Sequence, residues 1–215
     1  MCFSVAASFV VSGSLGVAGV ASLGLAKKSE RMMALVPILF GIQQAIEGLQ
    51  WLAPHPSLDS QVLGYAYLFF AFLLWPTYIP AAAYALETNQ KHKKLLSWMF
   101  RLGLFVSTGL LVTLIMYKPV ISLSAGHFVY AVPVSPLALV LGTIVYSIAV
   151  VGSLLISSRR SLQFFGIFIL AAEITAATIF PSGFVSVWCF FAAVSSALVY
   201  LCFYLWSKRS RLSSW

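Results

Sequence analysis

Charged residues are scarce in this chain. Only 8% of the 215 residues are charged, 61% are hydrophobic, and the mean hydropathy is +0.97. A soluble domain of this length needs more polar surface than such a composition provides. The composition therefore excludes an ordinary soluble domain, and it predicts one integral membrane domain over residues 1–215 with the lipid bilayer as its surroundings.

Acidic residues are the rarer of the two charge types. Five Asp and Glu residues stand against thirteen Lys and Arg residues, which gives a net charge of +8. A positive chain can bind nucleic acid, but no basic stripe or recognition module accompanies the charge here. The basic residues lie in short clusters beside apolar segments, where anionic lipid headgroups attract them. We therefore expect no nucleic-acid partner.

Cysteine is also rare, with Cys2, Cys189 and Cys202 as the three copies. Three cysteines cannot form a disulfide framework. A single bridge between Cys2 and Cys189 is compatible with their expected positions, but free packed thiols are the simpler interpretation. The role and redox state of Cys2 stay open at this point.

Long apolar segments are what the chain has in abundance. Each is close to the length of about 20 residues that crosses about 30 Å of hydrocarbon as a helix. The sequence predicts an all-α bundle of seven transmembrane helices. The segments run over Phe3–Ala26, Met32–Leu52, Gln61–Leu86, Leu95–Tyr117, Leu137–Ile156, Leu162–Phe180 and Phe184–Trp206.

The basic residues predict the orientation of these helices. Twelve of the thirteen fall at alternate breaks between the apolar segments, and Lys118 is the exception. Because basic residues are retained on the cytoplasmic side, the N-terminus is expected outside and the C-terminus inside. The clusters are Lys27, Lys28 and Arg31; Lys91, Lys93, Lys94 and Arg101; Arg159 and Arg160; and Lys208, Arg209 and Arg211.

A weak internal similarity suggests a 3+1+3 arrangement of two parallel triplets around the fourth helix. The tripeptide Phe40-Gly41-Ile42 precedes Glu47 in the second segment, and Phe165-Gly166-Ile167 precedes Glu173 in the sixth. Parallel repeats of this kind are known among transporters, which place substrate sites near the repeat interface. Chance similarity between apolar segments is the alternative.

Polar residues form a stripe along the second segment. Gln43, Glu47 and Gln50 follow i, i+4, i+7 spacing, with Gln44 and Trp51 beside them. In lipid such groups need partners inside the protein, so this face is expected to point into the bundle. An ionisable residue in such a position indicates a functional site.

Glu173 in the sixth segment and Trp75 in the third are further candidates. If the two middle helices face each other, Glu47 and Glu173 can share a proton, a metal ion or a cationic solute. The alternative is that each Glu is protonated and hydrogen-bonded to a neighbouring helix as a structural contact. Trp75 precedes Pro76 in an aromatic stripe that either stacks a planar ligand or only packs.

Metal and nucleophilic chemistry have little support. There is no H-E-x-x-H motif, no paired-cysteine spacing, no Ser-His-Asp set and no Gly-rich phosphate loop. Glu47, His55 and His127 are weak metal candidates because all three are expected toward the outer face. No cofactor is identified by the sequence.

The connection over residues 118–136 is the longest between two segments. It mixes serine and glycine with Phe128 and Tyr130. One interpretation is a lid on the outer surface. The favoured interpretation is an interfacial loop, in which both aromatic residues lie at headgroup level.

Several short motifs resemble a family of small bacterial multi-pass membrane proteins, a domain of unknown function. They are Met1-Cys2-Phe3-Ser4, Ala7-Ser8-Phe9, Pro37 through Phe40, Gln43-Gln44, Glu47-Gly48 and Trp51, continued by Trp75-Pro76, Pro80 and Glu87. The resemblance implies a bacterial cytoplasmic-membrane protein and directs attention to Cys2, Gln43, Gln44, Glu47 and Trp51, without an activity. In helix count the chain also resembles sugar and vitamin facilitators, but it lacks the prolines of their first helix.

These observations favour a transporter or binding protein for a small polar or cationic solute, proton-linked through Glu47. An intramembrane enzyme that uses the carboxylates as acid and base or as metal ligands is the alternative. A non-catalytic accessory subunit, in a homo-oligomer or a membrane complex, is the third. The expected site is an outward-opening pocket lined by Gln43, Gln44, Glu47, Gln50, Trp51, Trp75 and Glu173.

Overall fold

The computed structural model describes residues 4–54, 56–124 and 126–212, with side chains described through residue 207. Within these residues seven helices are long and apolar enough to cross a membrane, as the sequence predicts. This architecture is compatible with a multi-pass membrane protein. The helices are α1 Val5–Leu25, α2 Lys28–Leu52, α3 Leu58–Leu86, α4 Gln90–Met116, α5 Pro136–Ile156, α6 Arg160–Ile179 and α7 Phe184–Leu212.

Helix α3 is interrupted in its middle by a π-helical turn. Regular α-helix over Leu58–Leu68 changes to the π-turn at Phe69–Leu74 and resumes over Trp75–Leu86. Pro76 follows the π-turn, and a proline has no N–H for the helical hydrogen-bond ladder and clashes with the preceding turn. The interruption therefore has a local cause in the sequence.

Hydroxyl groups from neighbouring helices bond to the carbonyl groups of this π-turn. Ser107 of α4 donates to the carbonyl of Leu73 at 3.0 Å, and Tyr146 of α5 donates to the carbonyl of Ala71 at 2.8 Å. Carbonyl groups released from the ladder in a membrane helix need such partners inside the protein. The break in α3 thereby fixes how α4 and α5 pack against it.

A β-hairpin connects α4 to α5, so the all-α prediction is wrong for this connection. Strands β1 Val120–Ser124 and β2 His127–Ala131 pair antiparallel, and Gly126 in the turn has a φ of 79°, which favours glycine. Phe128 is fully buried and Tyr130 is 8% exposed. Both pack inside the protein rather than among lipid headgroups, which corrects the interpretation favoured from the sequence.

The hydrophobic core lies where α1, α2, α3, α5, α6 and α7 meet. Helix α1 packs on α2 and α7, while α3 packs on α5, and α6 packs on α5 and α7. Helix α4 lies beside this core and packs on α3 and α5. Among the largest buried side chains of the core are Met33, Phe165 and Phe203.

Two acidic residues tie together the connections at one end of the bundle. Glu30 forms an ion pair with Arg159 at 3.2 Å, and Glu87 accepts a hydrogen bond from the backbone N–H of Ser158 at 2.7 Å. Burial raises the pKa of Glu87, but the N–H groups of Ser158, Asn89 and Thr88 outweigh burial, so its pKa is lowered. The connections after α1, α3 and α5, which carry basic clusters, therefore meet at the same end.

Close packing of α4 on α3 depends on Gly103. A Cβ atom at this position would overlap the backbone carbonyl of Pro76, whereas a Cβ atom at Gly109 in the same helix would meet nothing within 4 Å. We expect Gly103→Ala to lower the free energy of unfolding by about 1–3 kcal/mol through overpacking, measured by thermal or denaturant unfolding in detergent. Gly109→Ala is the matched control and should be neutral or stabilising. Equal stability of the two variants would contradict this packing.

Candidate functional site

The polar stripe of α2 is enclosed by the protein. Gln43, Gln44 and Gln50 have no exposed surface, and Glu47 is 2% exposed. The i, i+4, i+7 spacing therefore predicted the buried face of this helix correctly. The stripe lies along the side of α2 that faces α3 and α7.

Glu47 is the centre of the stripe. Ser186, in the first turn of α7, donates to Oε1 of Glu47 at 2.5 Å, and Gln44 Nε2 donates to Oε2 at 3.2 Å. Both partners are neutral, so neither supplies a charge to balance an ionised carboxylate. The other amide atom of Gln44, Oε1, is buried without a hydrogen-bond partner among the described residues. The side chain of Gln44 therefore keeps one acceptor oxygen free of a described partner while its nitrogen bonds to Glu47.

Gln43 joins α2 to α3 one turn away from Glu47. The indole Nε1 of Trp75 donates to Oε1 of Gln43 at 2.8 Å, and the ring of Trp75 stacks on Phe40 with 3.8 Å between ring centroids. Cys189 of α7 interacts with the side chains of Gln43 and Tyr67. Trp75 therefore orients an amide of the stripe while it packs in the core.

The β-hairpin between α4 and α5 covers the end of the stripe at Gln50 and Trp51. The hydroxyl of Tyr130 donates to Oε1 of Gln50 at 2.8 Å, and its ring stacks on Tyr67 with 5.0 Å between centroids. Phe128 contacts the ring of Trp51 edge-on at 4.9 Å. The indole Nε1 of Trp51 is buried without a hydrogen-bond partner among the described residues. The hairpin is thus a cover that bonds directly to the stripe.

Glu173 lies between α5 and α6 and is not joined to Glu47. Ser147 of α5 donates a short hydrogen bond to Oε1 of Glu173, while Oε2 is buried without a partner among the described residues. Glu47 has its partners on α2 and α7 instead. The two carboxyl groups therefore have separate partners, and the structure does not assemble them into one cluster.

Two of the three metal candidates, Glu47 and His127, have different partners among the described residues. Nε2 of His127 lies 3.2 Å from the hydroxyl of Ser182, and its ring packs against Phe180. His55 lies outside the described residues, as does Cys2. No three His, Cys, Asp or Glu side chains within the described ranges are placed to hold a metal ion. A site built from Glu47 and His127 is therefore not formed in this part of the chain.

Two apolar cavities lie on the α7 side of the stripe. A small one of about 30 Å³ is lined by Phe40, Trp75, Phe165 and Cys189 among others. A second, of about 200 Å³, lies between α3, α4, α5 and α7 and is also lined by Cys189. Of the seven residues predicted to line an open pocket, Trp75 alone borders either cavity. The predicted outward opening around Glu47 is closed across the residues that the structure describes.

The sequence did not identify Ser186, Ser147 or Tyr130 as partners of the predicted site residues. A signal for Ser186 exists, because Ser186, Cys189 and Ser196 share one face of α7 with small neighbours. That pattern predicts close helix contact but not the group that is contacted. Ser147 and Tyr130 have no comparable signal for the residue they bond.

The whole chain, residues 1–215, matches a family of unknown function, DUF6629, and the protein belongs to this family. The expectation of an uncharacterised family covering nearly the full length is thereby confirmed. No curated protein and no solved structure matches the chain. Family membership assigns no activity to the residues described above.

The hydrogen bond from Ser186 to Glu47 has a matched control on the same helix. Ser196 is also buried, but its hydroxyl donates to the backbone carbonyl of Ala193 in α7 itself. We expect Ser186→Ala to lower the free energy of unfolding by about 1–3 kcal/mol, because a buried carboxyl oxygen loses its donor. Ser196→Ala should cost less, since it breaks no contact between helices. Unfolding in detergent measures both, and a larger loss for Ser196→Ala would contradict the assignment.

Proposed function

We propose that this DUF6629 protein binds a small polar or cationic solute and moves it across the membrane, with Glu47 as the proton-linked group. The observation that supports this most strongly is an enclosed carboxyl group whose hydrogen-bond partners are neutral. Such a group is stable in a medium of low polarity when it carries a proton or contacts a cation. A carboxyl group that exchanges one for the other couples proton movement to solute binding.

The acceptor oxygens of Glu47 and Gln44 support a solute that donates hydrogen bonds. Gln44 uses its amide nitrogen for Glu47, which leaves its Oε1 as an acceptor beside the carboxyl group. An ammonium or hydroxyl group satisfies both acceptors. An anion is disfavoured at this place, because its charge would repel the ionised carboxylate of Glu47.

Access to Glu47 from the hairpin side requires the hairpin to move. The hydrogen bond from Tyr130 to Gln50, the contact of His127 with Ser182 and the ring contacts of Phe128 and Tyr130 are among the interactions that hold the cover. Loops and lids that close over a site and open on the microsecond to millisecond scale are common in proteins that bind small molecules. We assign the hairpin this gating role, and the closed site of the structure is then the occluded state.

The orientation proposed is N-terminus outside and C-terminus inside, in a bacterial cytoplasmic membrane as the sequence resemblance implies. Nine of the thirteen basic residues lie in or after the connections that follow α1, α3 and α5, and Lys208, Arg209 and Arg211 lie at the C-terminal end of α7. Two contacts, between Glu30 and Arg159 and between Glu87 and Ser158, hold these three connections together at one end. That basic end is the cytoplasmic one by the positive-inside rule.

The helix packing supports the 3+1+3 repeat. In the repeat, α1 corresponds to α5 and α7 corresponds to α3. The contact between α1 and α7 therefore corresponds to the contact between α5 and α3, and both contacts are present. Trp75 in α3 donates to Gln43 in α2, and Trp188 in α7 donates to the carbonyl of Ile169 in α6 at 3.3 Å. In each triplet the third helix thus bonds to the middle one through a tryptophan.

The repeated Phe-Gly-Ile tripeptides have related positions as well. Phe40 and Phe165 line the same small cavity. A Cβ atom at Gly41 would lie 3.1 Å from a backbone oxygen of α1, and one at Gly166 would lie 2.9 Å from Leu154 of α5. Each glycine therefore allows the middle helix to approach the first helix of its own triplet. A substrate path at the interface between the triplets follows the known plan of parallel-repeat transporters.

The two other functions have less support. An enzyme with paired carboxylates needs Glu47 and Glu173 to lie together, and a metal-dependent enzyme needs His127 to lie beside Glu47. Each of these three side chains has a different partner. An accessory subunit needs no site, and nothing in the described residues favours it over transport. The apolar outer faces of the helices are accounted for by contact with lipid.

Glu47→Gln tests the proton-linked role directly, because glutamine preserves the shape of the side chain but cannot release a proton. The protein is reconstituted in liposomes with an internal pH dye. Choline serves as the probe because its hydroxyl group donates a hydrogen bond and its quaternary ammonium group has no free-base form that crosses the bilayer. We expect the wild type to couple probe movement to a pH change. In Glu47→Gln that pH change should fall to the level of protein-free liposomes.

Asp59→Asn is the matched control for this experiment. Asp59 is an exposed acidic residue at the start of α3, so its replacement removes the same charge without touching the stripe. The control should couple like the wild type. A Glu47→Gln variant with wild-type proton coupling would refute the assigned role, and so would equal losses in both variants.

Single cysteines test the proposed orientation. Lys118 and Lys91 are both exposed and lie at opposite ends of α4. In a background without native cysteines, Lys118→Cys should react with a membrane-impermeant maleimide in intact cells, because its end of α4 is outside. Lys91→Cys should react only after the cells are permeabilised. The reverse pattern would invert the topology.

A further inference from the structure

A basic cleft lies where the end of α3 meets the start of α4. Its volume is about 330 Å³. It belongs to the end of the bundle that carries the basic clusters, away from the β-hairpin and the stripe of α2. The residues that matter for its chemistry are Tyr84, Lys93, Lys94, Ser97, Trp98 and Arg101.

The positive charge of this cleft is not neutralised by the protein. Its lining contains three cations and no carboxylate. Within the described residues, Glu30 forms an ion pair with Arg159 instead, and Oε2 of Glu87 lies 3.9 Å from Nδ1 of His92. Three cations in one concave surface without an acidic partner attract an anion, and the attraction is strongest at the low dielectric beside a membrane.

The spacing of the cations along α4 matches an elongated ligand. Lys93, Ser97 and Arg101 follow i, i+4, i+8 and therefore lie on one face of the helix. Eight residues of α-helix span about 12 Å along the axis. A single inorganic phosphate ion contacts one end of such a row, whereas a phosphate group with a glycerol backbone reaches along it.

Aromatic rings hold two of the cations in place. Nζ of Lys93 lies 4.9 Å from the ring centroid of Tyr84, and Cζ of Arg101 lies 4.9 Å from that of Trp98. Cation–π contacts of this kind orient the side chains but leave their N–H groups able to donate to an anion. Tyrosine and tryptophan are also the residues enriched at the level of lipid headgroups.

The surface next to Arg101 identifies the favoured source of the phosphate. Leu104 and Phe105, on the next turn of α4, are 45% and 74% exposed. An apolar surface continuous with a basic cleft suits acyl chains attached to the headgroup. We propose that Lys93, Lys94 and Arg101 bind the phosphate and glycerol portion of an anionic phospholipid, whose chains lie along Leu104 and Phe105. This site is independent of Glu47 and of the proposed transport.

Native mass spectrometry of the full chain tests the site. Three proteins are purified with an equal mixture of phosphatidylglycerol and phosphatidylcholine. They are the wild type, a control, and one triple variant that combines Lys93→Gln, Lys94→Gln and Arg101→Gln. The control is Lys27→Gln, Lys28→Gln, Arg31→Gln, which removes three exposed cations from another cluster at the same end. We expect retained phosphatidylglycerol to fall at least about tenfold in the first triple variant, because it loses three favourable charge contacts. The control should retain the lipid like the wild type.

Equal retention by wild type and the first triple variant would overturn the site, and so would an equal loss in the control. If the triple variant does not fold, the single variant Arg101→Gln is measured by the same assay, with weaker retention expected. A second arm titrates the lipid-bound wild type with inorganic phosphate at millimolar concentration. No displacement is expected. Displacement would overturn the assignment to a lipid and identify a site for soluble phosphate.

Discussion

The requirement that every buried polar group in a membrane bundle find a partner within the protein organises this structure. Three side chains of the α2 stripe each find a partner on a different element. Gln43 accepts from a tryptophan of α3, Glu47 from a serine of α7, and Gln50 from a tyrosine of the hairpin. One polar face of one helix therefore determines how α3, α7 and the hairpin assemble around it.

The same requirement explains the interruption of α3 and the place of the larger cavity. Carbonyl groups of the π-turn over Phe69–Leu74 take hydroxyl donors from α4 and α5, which brings those helices to the turn. The cavity of about 200 Å³ is lined by Ala71 and Phe72 of this turn and by Cys189 of α7. π-turns are frequent at functional sites because they redirect side chains and backbone groups. The cavity and the polar stripe therefore meet at Cys189. An apolar portion of the proposed solute would suit the cavity, and a polar portion would suit the stripe.

The hairpin changes the interpretation of the acidic residues. The sequence predicts a carboxyl group in the middle helix of each triplet and favours Glu47 as the proton-linked one. In the structure Glu47 lies beside a cover that bonds to its own stripe. Glu173 bonds to a serine of α5 instead. Burial alone would make the two alike, whereas the hairpin, in its proposed gating role, would control access to Glu47.

The sequence by itself determined the seven helices, the buried face of α2 and the basic end of the bundle, because each follows from a local pattern: segment length, helical period or charge position. Only the tertiary structure decided the inward packing of the hairpin, the closed state of the site and the separation of Glu47 from Glu173. Ser186 lies 139 residues from Glu47 in the chain. Which hydroxyl meets which carboxyl depends on the rotation of each helix about its axis and on the packing of all the others, and no local period of the sequence specifies that.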